Sequence, residues 1–203
     1  MKKAQYTIEV LIILAMGLCH ALFRKRLPIQ PYLMLILFAT CVGCIAIEVM
    51  HGGRKPRDFG LRTDNLTAAA VTTFWAFVFP MLGLIGYGMW HGVHLPSHFY
   101  YTLLLYPFWG MLQQLLFQGV FLENLTRLGL RTSAIPLSAT FYSSVHWPSP
   151  FMLTVTFGGG LLLAWVYYYR RNIIPIGIAH GILGALLYYV VLGKDPLAKW
   201  ISP

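Results

Sequence analysis

The sequence predicts an all-α polytopic membrane protein, one bundle of about seven transmembrane helices, and three observations carry that prediction. Of 203 residues, 58% are hydrophobic and only 10% charged, against about 25% charged in a soluble domain. Apolar runs recur at the length a bilayer crossing needs, roughly 20 residues. The interruptions between them are short and basic, with fifteen Lys and Arg against six Asp and Glu. The runs are too long and too evenly apolar for the alternating strands of a membrane barrel, so helices must satisfy the backbone. Because the bases fall in short clusters and form no continuous face, no nucleic-acid partner is expected. The lipid bilayer is the first partner implied.

The elements follow in order. An apolar run at 7–23 comes after Met1-Lys2-Lys3, and no A-x-A-like cleavage site precedes Arg24-Lys25-Arg26, so it reads as a span and not a signal peptide. Spans at 31–50 and 66–90 flank the longest polar connection, His51 to Asn65, which has room for a short surface helix. A fourth span is expected at 99–125 and a fifth at 133–147. The fifth is short: about 15 residues reach only ~22 Å, and Pro136 sits inside it, so its neighbours must shelter it. Spans at 151–169 and 173–192 complete the set. Ten of the fifteen bases lie in the N-terminus, 51–65, 126–132 and 170–172, which predicts those segments on the cytoplasmic side and an N-in, C-out topology. Residues 1–56 form an N-terminal helix pair, 57–192 the core and 193–203 a short polar tail. Cys19, Cys41 and Cys44 lie in apolar segments as small hydrophobes.

Polar side chains in mid-membrane are costly and usually face a partner or a cavity. Gln113, Gln114 and Gln118 sit near the middle of the fourth span, and Gln114 and Gln118, four apart, are expected on one helical face. The fifth segment carries Ser138, Thr140, Ser143 and Ser144 and ends at His146; the seventh holds His180 within Gly177-Ile-Ala-His180-Gly-Ile-Leu-Gly184. Each group alone would serve as hydrogen-bonding glue between helices, contributing about 0.6–2 kcal/mol per pair. Three such groups on three helices point to a shared interior site.

In order and spacing these groups resemble the CPBP superfamily of intramembrane proteases, which includes CAAX prenyl proteases and the bacteriocin-processing or Abi proteins. That family's pattern is E-E-x-x-x-R, then F-x-x-x-H, then H-x-x-x-N. Here Gln113-Gln114-Leu-Leu-Phe117-Gln118-Gly119 resembles the family string E-E-L-L-F-R-G with both acids and the arginine replaced by glutamine. Tyr142-Ser-Ser-Val-His146 stands for the second motif and His180-Gly-Ile-Leu-Gly184 for the third. Upstream, Arg57-Asp-Phe-Gly-Leu-Arg62 looks like the polar segment before the family core, so the resemblance covers about 57–192.

The resemblance implies a glutamate that activates water, with the histidines and asparagine orienting it and stabilising the oxyanion. A glutamine amide is neutral and essentially non-basic, so it cannot take the proton. Gly184 in place of asparagine removes an oxyanion donor, whose loss elsewhere costs about 2.7–4 kcal/mol. Losing the acids together with the arginine leaves no unpaired ion in the membrane.

Other chemistries were weighed. Glu123 is nine residues beyond Gln114, about 13.5 Å along the axis, and is expected at the membrane surface beside Arg127. Glu48 is expected at the interface facing Arg54 or Lys55. Ser143 or Ser144 with His146 would make a serine-type pair, without the G-x-S-x arrangement of a rhomboid-like enzyme. His91, His94 and His98 offer a ligand number that zinc accepts but no acid, so solvated interface histidines are expected, with no metal and no cofactor. The Gly158-Gly159-Gly160 run reads as close helix packing. A small transporter is disfavoured for want of deep charges or a repeat.

The leading reading is a pseudoprotease-like multi-pass protein of the bacterial cytoplasmic membrane that binds a membrane peptide, lipid or partner protein in the former active-site cavity. The alternative is an active endopeptidase or acyl-transfer enzyme using His146 and His180 with a further acid. The site residues are His146 and His180, with Gln113, Gln114, Gln118, Tyr142 and Gly184 at the other motif positions.

Overall fold

Two apolar helices, α1 (Lys2–Phe23) and α2 (Gln30–Met50), open the chain. The computed structural model describes residues 2–23, 30–51 and 53–195. The basic run Arg24-Lys25-Arg26 and the tail from 196 to 203, both used in the expected topology, lie outside the described residues. The polar connection does form a short helix, a 3₁₀ turn at Pro56–Phe59. Proline at its start presets φ, the Lys55 amide donates to Asp58 Oδ2 at 2.7 Å, and Gly60 ends it at φ +82°, a conformation glycine adopts without steric cost.

The remaining helices are α3 (Leu66–Trp90), α4 (Phe99–Gln114), α5 (Ala134–Ser144), α6 (Pro150–Arg170) and α7 (Ile173–Leu186). Beyond Gln114 the chain stays helical but widens into a π-helix at Leu115–Leu122, a single α-turn at Glu123–Leu125 and a second π-helix at Thr126–Leu130. A third π-turn, Leu187–Val191, extends α7. Among the described residues there is no strand. Ser149 Oγ caps α6 by accepting from the Met152 amide at 3.3 Å, and Asn172 Oδ1 caps α7 by accepting from Ile174 at 3.1 Å. Asn172 also donates to the Arg62 carbonyl and to Asn65 Oδ1, each at 2.9 Å, tying the 61–65 loop to the start of α7. In that loop the Arg62 guanidinium hydrogen-bonds Asp64 and holds its carboxyl below the usual range.

Three helices among the described residues are long and apolar enough to cross a bilayer: α3, α6 and α7 with its extension, Ile173–Val191. Two of the other expected spans, the fourth and the fifth, depart from that standard for visible reasons. α5 has 11 residues, about 16 Å of rise against a ~30 Å hydrocarbon core. α4 loses regular α-geometry at Gln114. The described apolar part of α2 is Phe38–Met50.

α4 and α7 share the largest helix–helix contact among the described residues. Glycine makes it: a Cβ at Gly110 would strike the backbone of Gly177 and Gly181, one at Gly177 would strike Met111, and one at Gly181 would strike Pro107. Rising numbers on one helix meet falling numbers on the other, so the pair is antiparallel. Small residues allow this approach where lipid offers no hydrophobic drive between helices. Gly160 meets Ala139 and Tyr142 in the same way, locking α6 to α5. Phe117 then packs between Phe141 and Tyr142, with ring centroids at 5.2 and 5.1 Å.

A buried ionic cluster joins α1, α2 and the second half of the fourth helical stretch. Arg54 Nη1 donates to Asn124 Oδ1 at 3.2 Å, Asn124 Nδ2 donates to Glu9 Oε2 at 2.6 Å, and Arg54 lies 3.8 Å from Glu9. The Arg54 guanidinium also covers the Phe59 ring at 3.9 Å. Glu48 was expected at the interface facing Arg54 or Lys55; it is buried and accepts from the Gln5 side-chain amide of α1 instead. The reason is competition: Arg54 is drawn to Glu9 and Asn124, leaving Glu48 to the amide opposite.

Candidate functional site

The α4–α7 contact decides which polar atoms meet. Gln113 and Gln114 are the last two residues of regular α4, and the glycine seam brings the second of them onto His180 of α7. Gln114 Nε2 donates to His180 Nδ1 at 2.7 Å. That nitrogen therefore accepts, and the ring proton sits on Nε2, which donates to the Tyr142 hydroxyl at 2.9 Å. The Tyr142 and His180 rings meet edge-on, centroids 5.5 Å apart, and Tyr142 also faces His146 at 6.0 Å. Gln114 is fully buried, as is Gln118.

His180, Tyr142 and His146 bound a cavity of about 420 Å³ within the helical bundle, while Gln114 lies behind His180 and is not among the lining residues. Gln113, Tyr142, His146, His180 and Gly184 line it, together with Phe77 and Leu84 of α3, Trp109 of α4 and Gly158 and Gly159 of α6. Among the described residues that line it there is no Asp, Glu, Lys or Arg.

All six carboxylate side chains of the chain fall among the described residues, and each is bound elsewhere. Glu9 and Glu48 belong to the cluster on α1 and α2. Asp58 accepts from the Lys55 amide and Asp64 from Arg62. Asp195 pairs with His98 at 2.9 Å. Glu123 accepts from Arg127 Nε at 2.8 Å and Arg171 Nη1 at 3.1 Å. The expected Glu123–Arg127 pair is thus present, but Glu123 is only 1% exposed, because Arg171 closes over it.

A family model described as Type II CAAX prenyl endopeptidase Rce1-like matches residues 96–186. Over that segment the chain is similar to the CPBP superfamily. No curated protein and no solved structure matches the chain. The matched segment holds Gln113, Gln114, Gln118, Tyr142, His146, His180 and Gly184 and excludes the α1–α2 acids.

Gln118 does not join the cavity. It accepts from Ser138 Oγ at 3.2 Å, and the same hydroxyl donates to the Phe117 carbonyl at 3.1 Å. The expectation that Gln114 and Gln118 share a face assumed 3.6 residues per turn; the π-helix begins at Leu115, its wider i→i+5 turns change the angular step, and Gln118 swings toward α5. The serine-type reading finds no support in the hydroxyls: Ser143 Oγ donates to the Thr140 carbonyl at 3.0 Å and Ser144 Oγ to the Phe141 carbonyl at 2.7 Å. His91, His94 and His98 are exposed at the turn between α3 and α4.

The glycine run splits in two. Gly160 packs closely, as expected, but a Cβ at Gly158 or Gly159 would meet no atom within 4 Å. Among the described residues, these two glycines leave space in the cavity instead of bringing helices together. One glycine suffices for a contact, so three in succession on one helix were the available signal. The hydroxyl of Tyr142 was also missed as a hydrogen-bonding group, because the family pattern has phenylalanine at that position.

Proposed function

We propose that this protein is a non-hydrolytic CPBP member of the membrane, built from about seven membrane-embedded helices. It binds a membrane peptide, lipid or partner segment in the cavity that active relatives would use for cleavage. The observation that carries the reading is the state of His180: both ring nitrogens are engaged by neutral groups, Gln114 and Tyr142, while every carboxylate is bound elsewhere. Hydrolysis of a peptide bond needs a base that takes a proton from water near neutral pH. An amide cannot do so, and an imidazole whose Nδ1 accepts from an amide and whose Nε2 donates to a phenol has no lone pair left for the task. Gly184 adds no oxyanion donor where the family pattern has asparagine.

The test is cleavage of a prenylated CAAX peptide by purified protein in lipid. The wild type is expected to match a His146→Ala/His180→Ala control. A variant with Gln113→Glu, Gln114→Glu, Gln118→Arg, Tyr142→Phe and Gly184→Asn is expected to gain turnover if the scaffold stays competent. Wild-type cleavage that disappears in the double alanine variant would overturn the proposal and install the enzymatic alternative.

A further inference from the structure

We infer that the ligand of this cavity is an uncharged single-chain lipid whose head presents an oxygen acceptor to the Tyr142 hydroxyl. The inference rests on the binding role proposed above and names its ligand class.

Charge comes first. A phosphate, a free carboxylate or a peptide C-terminus placed in the cavity would meet no Lys or Arg among the described lining residues. An unpaired ion away from water is strongly disfavoured. The head must therefore be neutral.

Hydrogen-bond direction narrows it further. The chain of donors runs from Gln114 to His180 and from His180 to Tyr142. Tyr142 accepts from the ring, so its own proton is left for an acceptor facing the cavity that it lines. A hydroxyl or ester carbonyl oxygen supplies that acceptor. A peptide would bring a row of N–H donors as well, each needing a partner, which the mainly apolar walls do not provide.

Size and shape suit a hydrocarbon chain. The 420 Å³ holds at least about fourteen groups of methylene size at ~30 Å³ each, which is room for one chain. Gly158 and Gly159 form a side-chain-free trough along α6 in which nothing lies within 4 Å. From His180 the cavity extends along α7 to Tyr188, eight residues on and about 12 Å along the axis. Its walls include α3, α6 and α7, the three helices fit to cross a bilayer, so the ligand would enter from lipid.

The experiment uses the full chain in phosphatidylcholine nanodiscs and fluorescence quenching by lipids brominated on the chain. Trp109 lines the cavity, and Trp109→Phe reports the background from the other five of the six tryptophans. Brominated monoacylglycerol should quench Trp109 saturably. The fatty acid of the same chain length, ionised at about pH 9, should bind at least tenfold more weakly. Gly158→Leu/Gly159→Leu, which fills the trough, should weaken the monoacylglycerol at least tenfold with thermal unfolding unchanged; Gly159→Val serves if the double variant does not fold. Tyr142→Phe should weaken it about threefold or more. Equal binding of the ionised fatty acid, or quenching unaffected by trough filling, overturns the inference. Should only a brominated hydrophobic peptide quench Trp109, the lipid assignment falls while the binding role stands; cleavage of a prenylated peptide would instead remove the binding role itself.

Discussion

The Tyr142 hydroxyl lies 2.9 Å from Nε2 of His180, the one ring nitrogen that Gln114 leaves open. An imidazole able to move protons is thereby fixed in a single tautomer between two neutral partners. The residues that make this arrangement come from α4, α5 and α7, so it is as much a tertiary staple as a binding surface.

Replacing Tyr142 by Phe tests that arrangement. The substitution leaves the His180 Nε2–H without its acceptor while keeping the ring that packs on Phe117. A buried donor without a partner costs about 1–3 kcal/mol. Thermal unfolding in detergent should show a lower midpoint, and no cleavage of a CAAX peptide should appear, because no base is created. An unchanged midpoint would mean that water or a shifted side chain replaces the phenol.

Gln118→Arg alone should be far more damaging than the same change made together with the acids at 113 and 114. Gln118 is fully buried among Ser138, the Phe117 carbonyl and apolar side chains. A lone guanidinium there has no carboxylate to meet, and an uncompensated buried charge costs about 3–5 kcal/mol. Expression level and unfolding midpoint should both fall, and both should recover in part when Gln113→Glu and Gln114→Glu are added.

The helical fold was legible because composition and run length are governed by the bilayer, and boundaries expected at 66–90, 151–169 and 173–192 lie within a residue or so of Leu66–Trp90, Pro150–Arg170 and the Ile173–Val191 stretch. Gln113, His146 and His180, singled out by motif order, line one cavity. The place of Gln118 was not legible, since the π-geometry after Gln114 answers to packing between helices and leaves no periodic mark on the sequence. Glu48 failed for a related reason: Lys55, Arg54 and Gln5 are all plausible neighbours in sequence terms, and only the docking of α1 on α2 selects Gln5.

The glycines separate into two classes with opposite responses. Gly110→Ala drives a Cβ into the backbone of Gly177 and Gly181, with no flexible side chain to yield. Forcing α4 and α7 apart should cost about 1–3 kcal/mol and disturb the Gln114–His180 bond. Gly159→Ala meets open space and lies within α6, where alanine is favoured over glycine by about 0.5–1 kcal/mol. Unfolding midpoints should move in opposite directions; a fall for Gly159→Ala would show that the space before it closes in the membrane.

Glu123→Gln addresses the ionic cluster apart from the cavity. Glu123 is 1% exposed and is shared by Arg127 and Arg171. Removing its charge strands two cations, but their side chains are 29% and 43% exposed, and Arg127 keeps Asp58 at 3.8 Å. The cost should therefore fall below the 3–5 kcal/mol of a fully buried pair, at about 1–3 kcal/mol. Arg171→Gln should cost less than about 1 kcal/mol, since Glu123 retains Arg127. Neither variant touches a residue lining the cavity, so Trp109 quenching by brominated monoacylglycerol should keep its wild-type affinity at temperatures below unfolding. A matched loss of ligand affinity would mean that the Glu123–Arg127–Arg171 cluster sets the shape of the cavity as well as the stability of the bundle.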